Sequence, residues 1–448
     1  MNIPLHTMKG RNRRNRGDRR NKRNRGFSIS LITSISLITS ILYPLSVTAA
    51  SYYPELLYRY DHHLFAINPN EHPSWRRTEE AWTYLGREIV PPQRLRVDGD
   101  DLPDLPKGFT RSLTTLWDTA AISETIEKQI ASVLDRPRGT VTISKDEDGN
   151  IAFDGVGFLG KEVDLERTAA LTVAALEKGV YDIHIPLHEQ QPRMHVLDPT
   201  LQDLGIREVV GIGESNFARS PLARRHNIKT GLQKFDGHLV PQGEVFSFNE
   251  TLGPVNDATG YLKELVILGD KTLPDFGGGL CQVSTTAYRG IWEYGFPITQ
   301  RRNHSFSVQY YSPQGTDATI YPPYTDIKFL NDGPSDILIQ THTEGDRAFF
   351  IYYGMRDKRQ TEVVGPFVWD RRDPPPDRTE YTDEIPPGET RIAGKATPGL
   401  QAAWFRISQS EPGAESVIDP VYSYYEARPN FTQYGASAKP PSWLGSLQ

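Results

Sequence analysis

Cys281 is the chain's one cysteine, and it stands directly after three glycines in the phrase Gly277-Gly278-Gly279-Leu280-Cys281-Gln282-Val283-Ser284-Thr285-Thr286. The residues after it read as a helix, and a thiol at a helix N-terminus feels the positive end of the helix dipole, which favours thiolate. His304 and Asp317 follow, each in a segment that reads as strand. Cysteine, histidine and aspartate together supply the logic of acyl transfer. Cys281 would be the nucleophile, His304 the general base, and Asp317 the group that orients the imidazole. Backbone N–H groups over 279–281, or the Gln282 amide, would form an oxyanion hole. The same residues have plain structural roles open to them. A lone cysteine is commonly a small buried hydrophobe, His304 fits a core or turn position, and Asp317 after Gly315 would stabilise a turn. Gly277, Gly278 and Gly279 would serve close helix–strand packing, and Ser284 and Thr285 would either line a groove or sit solvated on the helix. One cysteine with scattered histidines is not a metal signature, so neither a metal nor a cofactor is expected.

The elements that must position these residues read as follows. Gln282 to Tyr294 places Val283, Ala287, Tyr288, Ile291 and Trp292 on one face, a helix packed on a core, with Gly295 as its stop. Strand patterns follow at 298–301, 304–311, 318–321, 326–330, 337–342 and 348–353. A helix opens at Pro221 after the strand 209–212. The result is an α+β domain over 205–356, a helix backed by an antiparallel sheet. Ahead of it, residues 116–200 read as a small α-β-β-α-β domain. Its parts are a helix over 118–134, a hairpin around Asp146-Glu147-Asp148-Gly149-Asn150, a helix capped by Asp164 and stopped at Gly179, and a strand over 181–187. Residues 51–115 show no sustained period and read as an irregular leader. Residues 360–428 read as a small β module of two or three strands, and 429–448 as a loose tail.

Composition bounds the setting. Residues 1–26 hold ten Lys/Arg against one acid, residues 27–50 are uncharged and apolar, and small residues close the run at Ala49-Ala50. That is the pattern of a secretory signal, or of an N-terminal membrane anchor if it is retained. Export to the periplasm, cell wall or exterior is expected. Setting aside those eleven charges leaves 40 basic against 55 acidic residues, which argues against nucleic acid as a partner. One cysteine also excludes an intramolecular disulfide, so packing alone must hold the fold.

Four phrases then carry a resemblance: Pro241-Gln242-Gly243-Glu244-Val245-Phe246-Ser247-Phe248-Asn249, the Gly277–Thr286 run, Arg302-Asn303-His304-Ser305, and Gly315-Thr316-Asp317-Ala318-Thr319. In order and register they resemble the VanW domain, the accessory type found in vancomycin-resistance clusters. Residues 116–200 resemble the peptidoglycan-binding domain that often precedes it, and 360–407 is similar to the G5-like segment that follows some members. The resemblance implies a cell-envelope protein that acts on or binds peptidoglycan. It implies no settled reaction. Asn249, Gly277, Gly278, Gly279, Gln282, Ser284, Thr285 and Arg302 are its candidate binding residues. The order of Cys281, His304 and Asp317 is like that of transglutaminase and papain-type cores, which would make the domain a thiol amidase, peptidase or transpeptidase on the peptide stem. The alternative is a protein that binds stem peptide or glycan without catalysis. It would use Arg224, Arg225, Arg301 and Arg302 for carboxylates and Tyr310, Tyr311 and Trp292 for sugar faces, with Cys281 structural.

Overall fold

The computed structural model describes residues 53–90, 107–268 and 271–436. The signal or anchor segment over 1–50, part of the 51–115 leader and residues 437–448 of the tail lie outside the described residues. Two helices begin where their caps predict. Asp118 accepts from the Ala120 and Ala121 N–H groups to start Thr119–Ile126, which runs on through a π turn to Leu134. Asp164 accepts from Arg167 N–H to start Leu165–Lys178, and Gly179 ends it in the left-handed conformation. Their apolar faces meet over Ile122, Ile126, Ile130, Ala169 and Leu176.

This core is completed by residues read from sequence as irregular. Leu56–Tyr60 pairs antiparallel with His63–Ile67 and parallel with Asp182–His184, burying Leu56 and Tyr58 completely. Arg76–Tyr84 and Phe109–Trp117 form a second antiparallel pair. The described parts of 51–115 are therefore built largely of paired strands, where an irregular leader was expected. The first pair is five residues long, too short to show a period. The second is largely exposed along its length and so carries no apolar alternation.

The hairpin Thr140–Lys145/Ile151–Val156 forms in the expected place. It does not stay with the helices, though. Val141 and Ile143 pack with Val209, Leu338, Phe349, Ile351 and Tyr353 of the next domain, so the α-β-β-α-β order feeds two cores.

In that next domain Glu208–Asn216, Arg347–Gly354, Ile337–Glu344 and Leu239–Val240 form an antiparallel sheet in that order. The cysteine helix, Leu280–Tyr294, lies on it so closely that a Cβ added to Gly213 would sit 2.0 Å from Thr286 O and 2.7 Å from Gly290 N. Tyr352 donates to Ala287 O at 2.8 Å across the same contact. After the helix the expected strands at 304–311 and 318–321 are absent. That stretch is a partly buried loop with one 3-10 turn at Gln309–Tyr311. Its alternation of apolar residues comes from packing inward against the helix, and side chains satisfy its backbone in place of a ladder.

The C-terminal residues hold more strand than expected. Gln360–Arg372, Gly399–Gln409 and Val417–Tyr425 make one sheet, and Arg378–Thr382, Phe431–Gly435 and Thr390–Gly394 another. Residues 431–435, read as tail, are thus a paired strand. Trp404 is fully buried, 5.9 Å from Trp292 of the cysteine helix in an edge-to-face contact.

Candidate active site

The glycine run is explained by backbone geometry. Gly277 and Gly279 have φ of +79° and +116°, which L side chains rarely adopt, and Gly279 is the helix N-cap. Gly278 lies against the backbone of Glu264. The turn leaves Cys281 half-buried in the first turn of the helix. Leu280 and Gln282 N–H donate to Gly277 O and Gly279 O at 3.0 and 2.9 Å, while no carbonyl of the described residues takes the Cys281 N–H.

The helix also fixes the loop that faces it. Ser284 Oγ donates to Ala318 O at 2.7 Å, and Thr285 Oγ1 accepts from Ala318 N–H at 3.1 Å. Arg289, buried, donates to Tyr311 O, Ser312 O and Thr316 Oγ1 at 2.9 to 3.0 Å. These bonds deliver Asp317 and Thr319 to either side of Ala318. Asp317 Oδ2 accepts from His304 N–H at 2.8 Å and from His304 Nδ1 at 2.6 Å. The His304 ring stacks on Tyr311, centroids 4.4 Å apart. Its Nε2 is buried without a partner of hydrogen-bond geometry. Cys281 Sγ lies 3.3 Å from Thr319 Oγ1 and 3.9 Å from Ile320 O.

Electrostatics follow from this packing. Burial opposes charge on all three groups. Asp317 is nevertheless held well below the usual carboxylate range by His304 and Arg301. Against burial, Asp317 and Cys281 raise His304 to about 9. Burial pushes the Cys281 thiol up, and His304, Thr319 and the Ile320 backbone outweigh it to bring the thiol down to about 7. Thiolate and imidazolium therefore coexist near neutral pH.

The other candidates divide sharply. Gln282 is fully buried, accepting from Arg224 Nη2 at 3.0 Å and donating to Asn216 O at 3.3 Å, so its amide is committed to the scaffold. Ser284 and Thr285 are equally buried and hold the loop. Asn249 donates to Thr325 O at 2.9 Å and pins the turn after the site. Arg224 bonds Ser220, Arg225 pairs with Asp346, and Arg301 donates to Asp317 O at 2.8 Å, whereas Arg302 is exposed. Trp292 and Tyr311 are buried, and Tyr310 lies under the Arg224 guanidinium. Tyr425, which sequence reasoning missed, donates to Asp317 Oδ1. It sits in a tyrosine-rich strand with no local mark of its destination.

A second histidine–carboxylate group lies outside this site. His62, His63 and Glu214 bring their ligand atoms within 4.8 Å of one another. Arg347 Nη2 already bonds both Glu214 oxygens, at 2.7 and 2.6 Å, and neutralises them as a cation would.

The residues that build the site coincide with a known domain: residues 223–352 match the family model described as VanW like protein, and this stretch is a VanW-like domain. Two curated proteins are similar to it. The uncharacterized protein YoaR of Bacillus subtilis (strain 168) is 34% identical over 137 residues, 31% of this chain and 45% of that protein. The Vancomycin B-type resistance protein VanW of Enterococcus faecalis (strain ATCC 700802 / V583) is 30% identical over 111 residues, 24% of this chain and 40% of that protein. The matches thus span less than half the length of either relative.

Proposed function

We propose that the chain is an exported cell-envelope protein whose VanW-like domain performs thiol acyl transfer on the peptide stem of peptidoglycan. The observation that carries this reading is the 2.6 Å bond from His304 Nδ1 to Asp317, beside a thiol whose pKa is brought down to about 7. The relative named for vancomycin B-type resistance supports the envelope setting, as does the charge pattern of residues 1–50. In the reaction, Cys281 Sγ attacks an amide carbonyl and forms a C–S bond. The oxyanion faces the Cys281 N–H at the helix N-terminus. The C–N bond then breaks as His304 Nε2 gives its proton to the leaving amine, and water or a second amine releases the thioester. Asp317 holds the imidazole in the required tautomer and stays ionised throughout.

Purified muropeptides incubated with the protein and followed by mass should show amide cleavage or exchange that Cys281→Ala abolishes. The dependence on pH should be bell-shaped, rising through about 7 and falling through about 9. Binding of muropeptides that survives in Cys281→Ala, with no product from the unaltered protein, would reduce the function to recognition.

A further inference from the structure

We propose that Tyr425, from the C-terminal sheets, is a positioning residue of the thiol site, which makes those sheets a working part of it. The proposal rests on the acyl-transfer reading above.

Asp317 has two oxygens, and both His304 bonds fall on Oδ2. What fixes the plane of the carboxylate is therefore whatever holds Oδ1. Tyr425 donates to it, and the nearest guanidinium atom, Arg301 Nη2, is 3.6 Å away. The donor is rigid. Its ring is buried among Leu400 and Ala402, and its oxygen accepts from Gly315 N–H at 2.8 Å, two residues before Asp317. The neighbouring contacts form a seam. Arg301 reaches Ser423 Oγ at 2.9 Å, Asn303 Nδ2 donates to Tyr424 O at 2.8 Å, and Glu426 N–H donates to Ser305 O at 2.7 Å. Contacts thus alternate along residues 301–305 and 315–317, on both sides of the histidine and the aspartate. All the strand residues in this seam lie beyond 352, outside the matched VanW-like stretch.

A positioning role and a purely electrostatic one predict opposite signs. A phenol bonded to a carboxylate stabilises its charge and weakens its pull on the imidazolium. Removing the hydroxyl would then, on electrostatics alone, strengthen the His304–Asp317 pair and lower the Cys281 midpoint. Loss of orientation weakens that pair and raises the midpoint.

The experiment follows iodoacetamide alkylation of Cys281 in the full chain from pH 5 to 10. Three variants stand beside the unaltered protein: Tyr425→Phe, 3-fluorotyrosine at 425, and His304→Ala. Tyr425→Phe should raise the midpoint by about one unit and slow alkylation at pH 7 about fivefold, with near-UV circular dichroism unchanged. The 3-fluorotyrosine protein keeps the hydroxyl and the packing, and should follow the unaltered profile even if the phenylalanine variant folds poorly. A midpoint that stays or falls in Tyr425→Phe overturns the positioning role. A shifted midpoint in the fluorotyrosine protein does the same. If His304→Ala leaves the profile unchanged, the acyl-transfer reading fails first and the inference goes with it.

Discussion

The cysteine helix carries a histidine–carboxylate pair at each end, and the two have the same length and opposite charge states. Near its N-terminus His304 Nδ1 lies 2.6 Å from Asp317; at its last turn His62 Nδ1 lies 2.6 Å from Glu293. His304 is raised to about 9, whereas His62 is pushed well below its ordinary value, first by burial and then by Arg289 and His63. The carboxylates explain the difference. Asp317 takes two N–H groups of His304 and the Tyr425 hydroxyl, with Arg301 nearby, and stays ionised. Glu293 is driven up to about 7 by burial, which Arg289, His63 and Lys161 only partly offset. A short distance therefore fixes a proton's position, and the donors around the acid decide whether the histidine is charged.

The contrast can be broken at its strongest point by Asp317→Asn. His304 should then behave like His62, a buried neutral imidazole, and the thiol should return toward its ordinary value near 9. A rise of two units from about 7 corresponds to roughly 50-fold slower alkylation at pH 7. An unchanged rate would mean the helix end alone activates the thiol. Gly213→Ala tests whether both pairs depend on the same close helix–sheet contact. The added Cβ has no room against Thr286 and Gly290, and overpacking of this kind costs about 1–3 kcal/mol. Urea unfolding should show that loss, together with altered titration at both ends of the helix. Glu293→Gln is the mildest change. Folded Glu293 keeps its proton to about 7, and the unfolded group releases it near 4.5. Its ionisation thus lowers stability as pH rises from about 4.5 to about 7, and the loss levels off above the folded value. The variant should show a smaller drop in urea midpoint between pH 5 and pH 8, with Cys281 alkylation unchanged.

Much of this arrangement could be read in the residues. Asp118, Asp164 and Gly179 bound their helices because a cap is a local interaction between neighbours in sequence. The thiol, histidine and aspartate were named from type and order, and the helix over 282–294 from one-face spacing. What escaped was non-local. The loop around His304 and Asp317 carries a strand-like pattern because it is buried, yet its bonding partners are Ser284, Thr285, Arg289 and Tyr425, reached only through the tertiary fold. Gln282, Ser284 and Thr285 carry the polarity of ligand-binding residues and spend it on the scaffold. Residues 56–67 hid their strands by being short, and His62 and Glu293 meet only because that hairpin docks on the far end of the cysteine helix.

The seam between residues 301–317 and the strand Val417–Tyr425 has a consequence for inheritance. Recombination that exchanged residues 223–352 alone would deliver a thiol helix and its histidine–aspartate loop with one carboxylate oxygen facing a foreign surface. The smallest gene segment that carries these contacts intact reaches at least to Glu426.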